Sequence, residues 1–282
     1  MRAVSRAEEI ESAFERSRSE AEKAFGIGDL YVERLVREAR HIEVQIVGDG
    51  SGAVIHLGER ECSIQRRHQK LVEIAPAPGL AEAMREDLWE AAVRLAEQAR
   101  YQNLGTLEFL VNRTQGEGGQ APFWFIEANA RLQVEHTVTE EVTGVDLVQL
   151  QLRLAGGSSL DELGIDSAEK PGSHALQVRV NMERMGADGS ARPSAGTLTA
   201  FEPPQGEGIR TDSHGYAGYS TSPRFDSLLA KLIVHEKSDG LEGVIDRTRE
   251  ALGRFKIEGV VTNVPFLQSV LDHPEFRAGR WY

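Results

Sequence analysis

The 282-residue sequence has little of what secreted, membrane-spanning and nucleic-acid-binding proteins carry in abundance. Its single cysteine, Cys62, excludes an internal disulfide, and no apolar run approaches the ~18 residues that a membrane span needs. The formal net charge of -12 argues against general nucleic-acid binding, which needs a basic surface. The start M-R-A-V-S-R-A-E-E lacks the apolar centre of a signal peptide. We therefore expect a cytoplasmic protein that binds neither nucleic acid nor a membrane.

Length and composition indicate a globular protein with one large domain or two ordinary ones. The chain is 40% hydrophobic and 27% charged, which is typical of a protein with a buried core. A polar segment over residues 158–173 ends with Pro171 and Gly172 and separates two kinds of pattern. We therefore place a boundary near residue 168, with one domain over 1–168 and a second over 169–282.

Hydrophobic periodicity and turn residues predict a mixture of helices and strands. Ser5 and Glu8 have the spacing of a capping box, at the start of a helix that Gly26 stops. Further helices are predicted over residues 80–100, 146–154 and 241–255, with a short one from Thr262. Strands are predicted over residues 29–36, 40–47, 53–60, 105–111, 121–130, 174–181, 196–201, 208–212 and 227–235. The second and third strands form a hairpin, residues 112–120 form an exposed loop, and the class is α+β.

The stretch F-I-E-A-N-A-R-L-Q-V-E-H, residues 125–136, combines strand-like alternation with unusual chemistry. Side chains of an extended chain alternate between two faces, so one face here is apolar. The other face carries Glu127, Asn129, Arg131, Gln133 and Glu135. A solvated edge strand would also alternate, but it would usually carry Thr, Lys and Ser. The pattern therefore favours a site that binds ions or substrate.

Two carboxylates on neighbouring predicted strands form a candidate metal site. Glu108 and Glu127, with Asn129 two residues further on, supply the oxygen ligands that Mg²⁺ prefers beside substrate phosphates. Two solvated strand carboxylates explain the same spacing equally well. Sequence spacing by itself leaves both interpretations open.

A basic run stands out in this acidic protein. The segment C-S-I-Q-R-R-H-Q-K carries Arg66, Arg67, His68 and Lys70, and prolines soon follow it, which favours an extended loop over a helix. The run could bind an anion, or it could be a solvated group of charges. His68 alone is more typical of a structural histidine than of a ligand.

Arg179 repeats the alternating pattern in the second half of the chain. It shares a strand face with Gln177 and Asn181, where its fork of donors could bind a planar oxygen substrate or pair with a surface carboxylate. The chain has no G-x-S-x-G nucleophile motif, no P-loop and no dinucleotide-binding fingerprint in the right context. Cys62 has no evident catalytic partner.

Taken together, several segments closely resemble the biotin carboxylase component of biotin-dependent carboxylases. They are R-H-I-E-V-Q, E-R-E-C-S-I-Q-R-R-H-Q-K, E-I-A-P-A-P, G-T-L-E-F, F-I-E-A-N-A-R-L-Q-V-E-H-T-V-T-E, T-G-V-D-L, F-D-S-L-L-A-K-L-I and T-N-V. The resemblance runs in order over essentially the whole chain. It implies an incomplete ATP-grasp domain over 1–168, a biotin carboxylase C-terminal domain over 169–282, and a ligase that carboxylates biotin with bicarbonate and ATP.

The resemblance also implies roles for residues at the matching positions. Glu108, Glu127 and Asn129 match the ligands of the Mg²⁺ or Mn²⁺ ion that bridges the nucleotide phosphates. The positions that contact ATP are matched by Glu33, His41, Gln65, His68 and Leu110.

The remaining matches concern bicarbonate and biotin. Arg131, Gln133 and the backbone at Val134 match the bicarbonate pocket, and Glu135 matches the general base. Lys70 and Arg179 match cations near the reacting bicarbonate and biotin, so the implied catalytic set is Glu135, Arg131, Arg179 and Lys70.

These roles make a geometric demand on the stretch 125–136. A straight strand would separate Glu127 from Glu135 by roughly 26 Å at ~3.3 Å per residue, which is too far for one reacting centre. We therefore expect the chain to bend after Asn129. With Arg131 beside it, Glu135 is expected to stay ionised and ready to accept a proton.

The sequence departs from the family pattern at its beginning. It opens at M-R-A-V, which matches the family just after a glycine-rich lid loop, so we expect the isolated chain to fold without carboxylating biotin. It has no A-M-K-M biotin-attachment motif. Expected partners are a biotin carboxyl carrier domain, a carboxyltransferase domain or subunit, and a second copy in a homodimer or larger assembly.

Two other functions compete with this interpretation. Another bicarbonate-activating ATP-grasp ligase, related to carbamoyl phosphate synthetase, would share much of the chemistry. A non-catalytic remnant serving as an assembly module would share only the fold. The final acyl acceptor is not encoded in this segment, because the carboxyltransferase selects it.

Overall fold

The computed structural model describes residues 2–112, 122–169, 172–222, 224–237 and 240–281. The chain forms two compact units, Met1–Glu38 and Ala39–Tyr282. Within the described residues, none of the helices has the length and apolar character needed to cross a membrane.

Over its described residues 2–38, the first unit contains one α-helix, which follows a 3₁₀ turn. A 3₁₀ turn at Ala7–Glu9 leads into α1, Ile10–Phe25, which ends at Gly26 in the left-handed conformation, as its sequence predicts. The capping box predicted at Ser5 and Glu8 is wrong, because the Ser5 N–H donates to the Glu9 carboxylate instead, at 3.1 Å. The strand predicted over 29–36 is also wrong, since this segment has no regular structure.

The second unit is built on an eight-stranded sheet in which every neighbouring pair is antiparallel. Its strands are β1 Ala39–Asp49, β2 Val54–Arg66, β3 Gln69–Ala75, β4 Gln102–Asn112, β5 Phe123–Asn129, β6 His174–Asn181, β10 Ile209–Ser213 and β11 Leu228–Glu236. Their order is β10-β11-β6-β3-β2-β1-β4-β5. Two small two-stranded sheets pair β7 Glu183–Met185 with β8 Ala191–Pro193, and β9 Ala200–Glu202 with β12 Lys256–Glu258.

Helices cover the sheet and close the connections between strands. Their bounds are α2 Glu82–Gln98, α3 His136–Thr143, α4 Leu147–Ala155, α5 Leu160–Leu163, α6 Gly240–Arg254, α7 Val264–Asp272 and α8 Pro274–Arg277. The long predicted helices and most predicted strands are therefore confirmed, as is the α+β class. Of the strand predicted over 196–201, only its end is extended, in β9. The loop predicted over 112–120 lies outside the described residues, apart from Asn112.

The apolar faces of these elements form separate clusters. One cluster joins α2, through Leu88, to the β1 and β4 side chains of Ile42 and Phe109. Another joins α6, through Val244, to β6 and β11. Both follow the expected periodicities of 3.6 residues in helices and two in strands.

The sheet is continuous across the boundary expected near residue 168. Strand β3 pairs with β6, where Val72 lies opposite Val178. Side chains from both halves of the sequence can therefore reach the same face of one sheet.

Three local features of the backbone position the candidate site. The segment 62–70 is a β-hairpin rather than the expected extended loop, because Arg67 and His68 take positive φ values of 49° and 66° and form a two-residue turn. Glu108 lies opposite Glu127 in the β4–β5 register, as expected for paired strands. The chain leaves the strand conformation after Asn129 and enters α3 at His136, which confirms the predicted bend.

Candidate active site

Most of the predicted site residues line one cavity of about 300 Å³. These are His41, Gln65, His68, Lys70, Glu108, Glu127, Asn129, Arg131, Gln133, Val134, Glu135 and Arg179. Leu110 lies opposite His41 in the β1–β4 register. Glu33 belongs to the first unit, Met1–Glu38, and is not among the residues that line this cavity.

The pair Glu108 and Glu127 meets at the amide of Asn129. The Asn129 Nδ2 donates to Glu108 Oε1 at 2.9 Å and to Glu127 Oε1 at 3.0 Å, so both carboxylates converge on one small volume. Burial raises the pKa of Glu108, but hydrogen bonds and charge from His41 and Lys70 outweigh it and hold the pKa below its usual range. Two converging carboxylates and an amide that can turn its oxygen toward them fit a divalent cation.

His41 forms one wall of this region. Its Nδ1 lies 2.7 Å from Gln65 Nε2, and its Nε2 lies 2.6 Å from Glu108 Oε2. Because Gln65 Nε2 is a donor, Nδ1 must accept, which leaves the ring proton on Nε2, facing the carboxylate. The tautomer of His41 is thus set by Gln65.

Lys70 contacts both Glu108, a candidate metal ligand, and Glu135, the expected general base. Its Nζ lies 2.5 Å from Glu43 Oε2, 2.5 Å from Glu135 Oε1 and 3.2 Å from Glu108 Oε1. The three donors of an ammonium are thereby matched to three carboxylates. Burial lowers the pKa of Lys70, but the surrounding carboxylates raise it by a larger amount. The pKa of Lys70 therefore lies above its usual range. Lys70 stays charged and keeps the acidic groups together.

Glu135 is held at both of its oxygens. Lys70 contacts Oε1, and Arg179 Nη2 donates to Oε2 at 3.0 Å. The side chain is 1% exposed, yet the residue lines the cavity. A buried carboxylate with two cationic partners is fixed in position and faces a small volume in which a proton donor can bind.

The cation expected beside Glu135 is not Arg131. Arg131 donates to Gln133 Oε1 at 3.1 Å, and Lys70 and Arg179 are the cations that bond to Glu135. The bend after Asn129 explains the difference, because it takes Arg131 off the strand face that a straight chain would share with Glu135. Arg131 is exposed at the cavity, where it can contact a bound anion.

The partner of Arg179 differs from the surface carboxylate that the sequence allowed. Its Nε donates to Glu73 Oε1 at 2.5 Å, and Glu73 is fully buried, so the pairing with a surface carboxylate does not occur. Burial raises the pKa of Glu73 above its usual range, and the charge of Arg179 offsets only part of this rise. Arg179 therefore joins Glu73 to Glu135.

The basic run 66–70 divides into residues with different surroundings. Arg66 Nη1 donates to Glu183 Oε2 at 2.6 Å, which ties the hairpin to β7. His68 and Lys70 line the cavity. The run is therefore neither wholly solvated nor one uniform basic group, because Arg66 has a carboxylate partner of its own.

Sequence reasoning missed the buried carboxylates Glu43 and Glu73. Burial raises the pKa of Glu43, but Arg60 and Lys70 outweigh it and lower the pKa to about 2. Arg60 Nε is the second cationic contact of Glu43, at 2.5 Å. A detectable signal existed, since both glutamates interrupt strongly apolar strands, in H-I-E-V and L-V-E-I-A.

Sequence comparisons identify the families to which the two parts of the chain are similar. Residues 1–163 match the family described as carbamoyl-phosphate synthase L chain, ATP binding domain, and residues 177–282 match the biotin carboxylase C-terminal domain. Pyruvate carboxylase 1 of Caenorhabditis elegans is 49% identical over 279 residues, which cover 98% of this chain and 23% of that protein. The biotin carboxylase of Halalkalibacterium halodurans is 44% identical over 283 residues, covering 99% of this chain and 59% of that protein.

A solved structure shows the same fold. The biotin carboxylase domain dimer of Hydrogenobacter thermophilus 2-oxoglutarate carboxylase, in complex with MgADP, ADP and bicarbonate, superposes with a TM-score of 0.88 at 40% identity. The match covers 97% of this chain and 58% of that one. The present chain therefore spans well under two thirds of the length of these three proteins.

Proposed function

The chain belongs to the family of the carbamoyl-phosphate synthase L chain ATP binding domain and carries a biotin carboxylase C-terminal domain, and on that premise we propose that it catalyses the ATP-dependent carboxylation of biotin by bicarbonate. The observation that carries this proposal is the Glu135 carboxylate, held between Lys70 and Arg179 at a cavity that also contains Glu108, Glu127 and Asn129. We assign residues 1–168 to an ATP-grasp domain and 169–282 to the C-terminal domain.

The nucleotide end of the cavity is assigned to the side formed by β1, β2, β4 and β5. Glu108, Glu127 and Asn129 would hold Mg²⁺ or Mn²⁺, which when bound offsets phosphate charge during transfer. Within the second unit, ATP would contact the residues that the family resemblance places there, namely His41, Gln65, His68 and Leu110. The MgADP bound by the Hydrogenobacter domain supports this assignment.

The bicarbonate end is assigned to the turn between β5 and α3. Arg131, Gln133 and the Val134 backbone, which line the cavity, would bind the anion. The presence of bicarbonate in the Hydrogenobacter complex supports a bicarbonate site in this fold. Glu135 removes the bicarbonate proton, and the resulting oxyanion attacks the γ-phosphorus of ATP. The products are carboxyphosphate and ADP, and carboxyphosphate then breaks down to CO₂ and phosphate.

Biotin is carboxylated in the second stage. The phosphate released from carboxyphosphate would accept the proton of the ureido nitrogen, which places negative charge on the ureido oxygen that the Arg179 guanidinium would stabilise. The ureido nitrogen then attacks CO₂. Lys70 and Arg179 are already oriented by buried carboxylates, so these cations need little reorganisation during the reaction.

The partners follow from the proposed reaction. Biotin would arrive on a biotin carboxyl carrier domain, and a carboxyltransferase domain or subunit would use the carboxylated product. The related proteins include pyruvate carboxylase and a long-chain acyl-CoA carboxylase, which supports assembly into a biotin-dependent carboxylase. We propose a homodimer or larger assembly, and a cytoplasmic location.

One experiment separates this function from its alternatives. The intact native protein is incubated with MgATP, ¹⁴C-bicarbonate and free biotin, and ADP and acid-labile carboxybiotin are both measured. We expect ADP release that depends on bicarbonate and carboxybiotin that depends on biotin. ADP release that responds to ammonia and yields carbamoyl phosphate would identify the other ATP-grasp ligase. A folded protein without bicarbonate-dependent ADP release would identify the non-catalytic module.

A further inference from the structure

Lys231 on β11 contacts the backbone of a residue that lines the cavity, and the reaction proposed above gives this lysine no role. Its Nζ donates to the Val134 backbone oxygen at 3.0 Å and to Thr137 Oγ1 at 3.4 Å, and it lies 3.2 Å from Asp212 Oδ2. The residue is 9% exposed. An ammonium has three donors, so these three oxygens engage all of them.

The contact with Val134 acts on the peptide immediately before Glu135. A peptide group is planar, so fixing the Val134 oxygen also fixes the orientation of the Glu135 N–H and Cα. Glu135 is the residue that precedes α3, with φ −82° and ψ 3°. The position of its carboxylate therefore depends on this peptide as well as on Lys70 and Arg179.

The other two contacts hold Lys231 itself in place. Asp212 accepts two hydrogen bonds from Arg210, at 2.8 and 3.1 Å, and Arg210 also donates to Glu140 on α3, at 2.7 Å. Burial lowers the pKa of Lys231, and Asp212 opposes that effect. The lysine is thus attached to β10 through Asp212 and to α3 through Thr137.

We propose that Lys231 is a positioning residue for biotin carboxylation: it holds the Val134–Glu135 peptide so that the Glu135 carboxylate and the Val134 backbone face bound bicarbonate. The inference rests on the proposed function, because it takes Glu135 as the base. Lys231 is not among the residues that line the cavity and acts through the backbone of residues that do. Its role differs from that of Lys70, which contacts the carboxylate directly.

The test is Lys231→Met in the intact native protein, because methionine keeps much of the length and removes the three donors. We expect kcat for biotin carboxylation to fall ~10- to 100-fold and KM for bicarbonate to rise ~10-fold, as misplacement of a reacting group predicts. The Kd for MgADP should change less than about twofold, since the nucleotide residues lie on other strands. Lys231→Arg should recover part of the loss, because it keeps the charge and donors.

Two companion variants sharpen the result. Asp212→Asn removes the counter-charge of Lys231 and should produce a smaller effect in the same direction. Lys256→Met is the matched control, since Lys256 is half exposed and pairs with Glu202 on the surface, at 2.8 Å. It should change neither kinetic constant.

Amide hydrogen exchange in the absence of substrates provides an activity-independent measurement. Exchange at residues 134–136 should rise at least tenfold in Lys231→Met and remain unchanged in Lys256→Met, because the peptide loses its anchor. Unaltered exchange, or equal losses of MgADP and bicarbonate binding with no recovery in Lys231→Arg, would overturn the positioning role. If exchange rises but the wild-type protein does not carboxylate biotin, the proposed function fails and the structural role of Lys231 stands.

Discussion

Lys70 and Glu135 are separated by 65 residues in sequence, and their side chains lie 2.5 Å apart. The β2–β3 hairpin supplies the cation, and the turn before α3 supplies the carboxylate. The same ammonium also contacts Glu108, 3.2 Å away. A single lysine therefore connects the proposed metal ligands with the proposed base, which is a basis for coupling phosphate transfer to proton removal.

Replacing the base should separate chemistry from nucleotide binding. We expect Glu135→Gln to lower the biotin carboxylation rate by ~10²-fold or more, because the amide keeps the shape but cannot accept the bicarbonate proton. ATP affinity should be nearly unchanged. Steady-state kinetics and calorimetric titration with an ATP analogue measure the two effects, with Glu97→Gln on the exposed face of α2 as control. Normal carboxylation with lost ATP binding would place Glu135 in the nucleotide site instead.

The proposed metal ligands should be revealed by metal dependence. In Glu127→Gln, one of the two carboxylates that meet at Asn129 loses its charge, so we expect the Mg²⁺ concentration needed for half-maximal ATP turnover to rise at least ~10-fold. Mn²⁺ binding measured by electron paramagnetic resonance should weaken in parallel. Glu86→Gln, an exposed carboxylate on α2, is the control. If turnover and metal dependence are both unchanged, Glu127 is not a ligand.

A buried ion pair between β2 and α2 should matter for stability. Glu59 accepts hydrogen bonds from Arg85, Trp89 and the Ala77 N–H, at 2.7, 2.8 and 3.0 Å. Glu59→Gln should lower the free energy of unfolding by about 3–5 kcal/mol, because it removes the buried counter-charge of Arg85. Urea denaturation measures the change.

Two further variants identify the cause of that loss. Glu82→Gln removes a half-exposed carboxylate 3.7 Å from Arg85 and should cost less than about 1 kcal/mol. Replacing Glu59 and Arg85 together by leucine should recover most of the loss, since it removes both buried charges. A double variant as unstable as Glu59→Gln would show that the pair itself is strongly stabilising.

The stacked ring of His56 should make stability depend on pH. Its centroid lies 4.4 Å from that of Trp89, and burial lowers its pKa from 6.5 to about 4. Between these values the unfolded chain binds a proton that the folded protein does not, so the free energy of unfolding falls as pH decreases through this range. The ring is partly exposed, so the expected loss is about 1–2 kcal/mol.

His56→Phe tests this dependence because it keeps a ring against Trp89 without a titrating nitrogen. Thermal unfolding is measured at pH 7.5 and 4.5. The decrease in Tm between these two pH values should be smaller in the variant than in the wild type. His214→Phe, which removes an exposed histidine, should leave the decrease unaltered. Identical pH slopes for wild type and His56→Phe would exclude His56 as the cause.

Short-range residue patterns in the sequence were sufficient to predict many of the helices and strands. Alternation and turn residues predict the β1–β2 hairpin, and helical periodicity predicts α2 within two residues at either end. The prediction of α2 agrees because its buried residues, among them Met84, Leu88 and Ala91, recur at helical spacing along consecutive residues. The segment 29–36 failed because alternation gives a strand only where a partner backbone is available.

The candidate site was predictable to a different degree. Sequence and resemblance named most of the residues that line the cavity, and chain geometry required the bend after Asn129. Which cation meets which carboxylate depends on strands far apart in sequence, and only the sheet order brings Lys70 and Arg179 to the two oxygens of Glu135. The buried partners Glu43 and Glu73 and the anchor Lys231 were likewise decided by tertiary packing, because a charge can be buried only where other elements complete its hydrogen bonds.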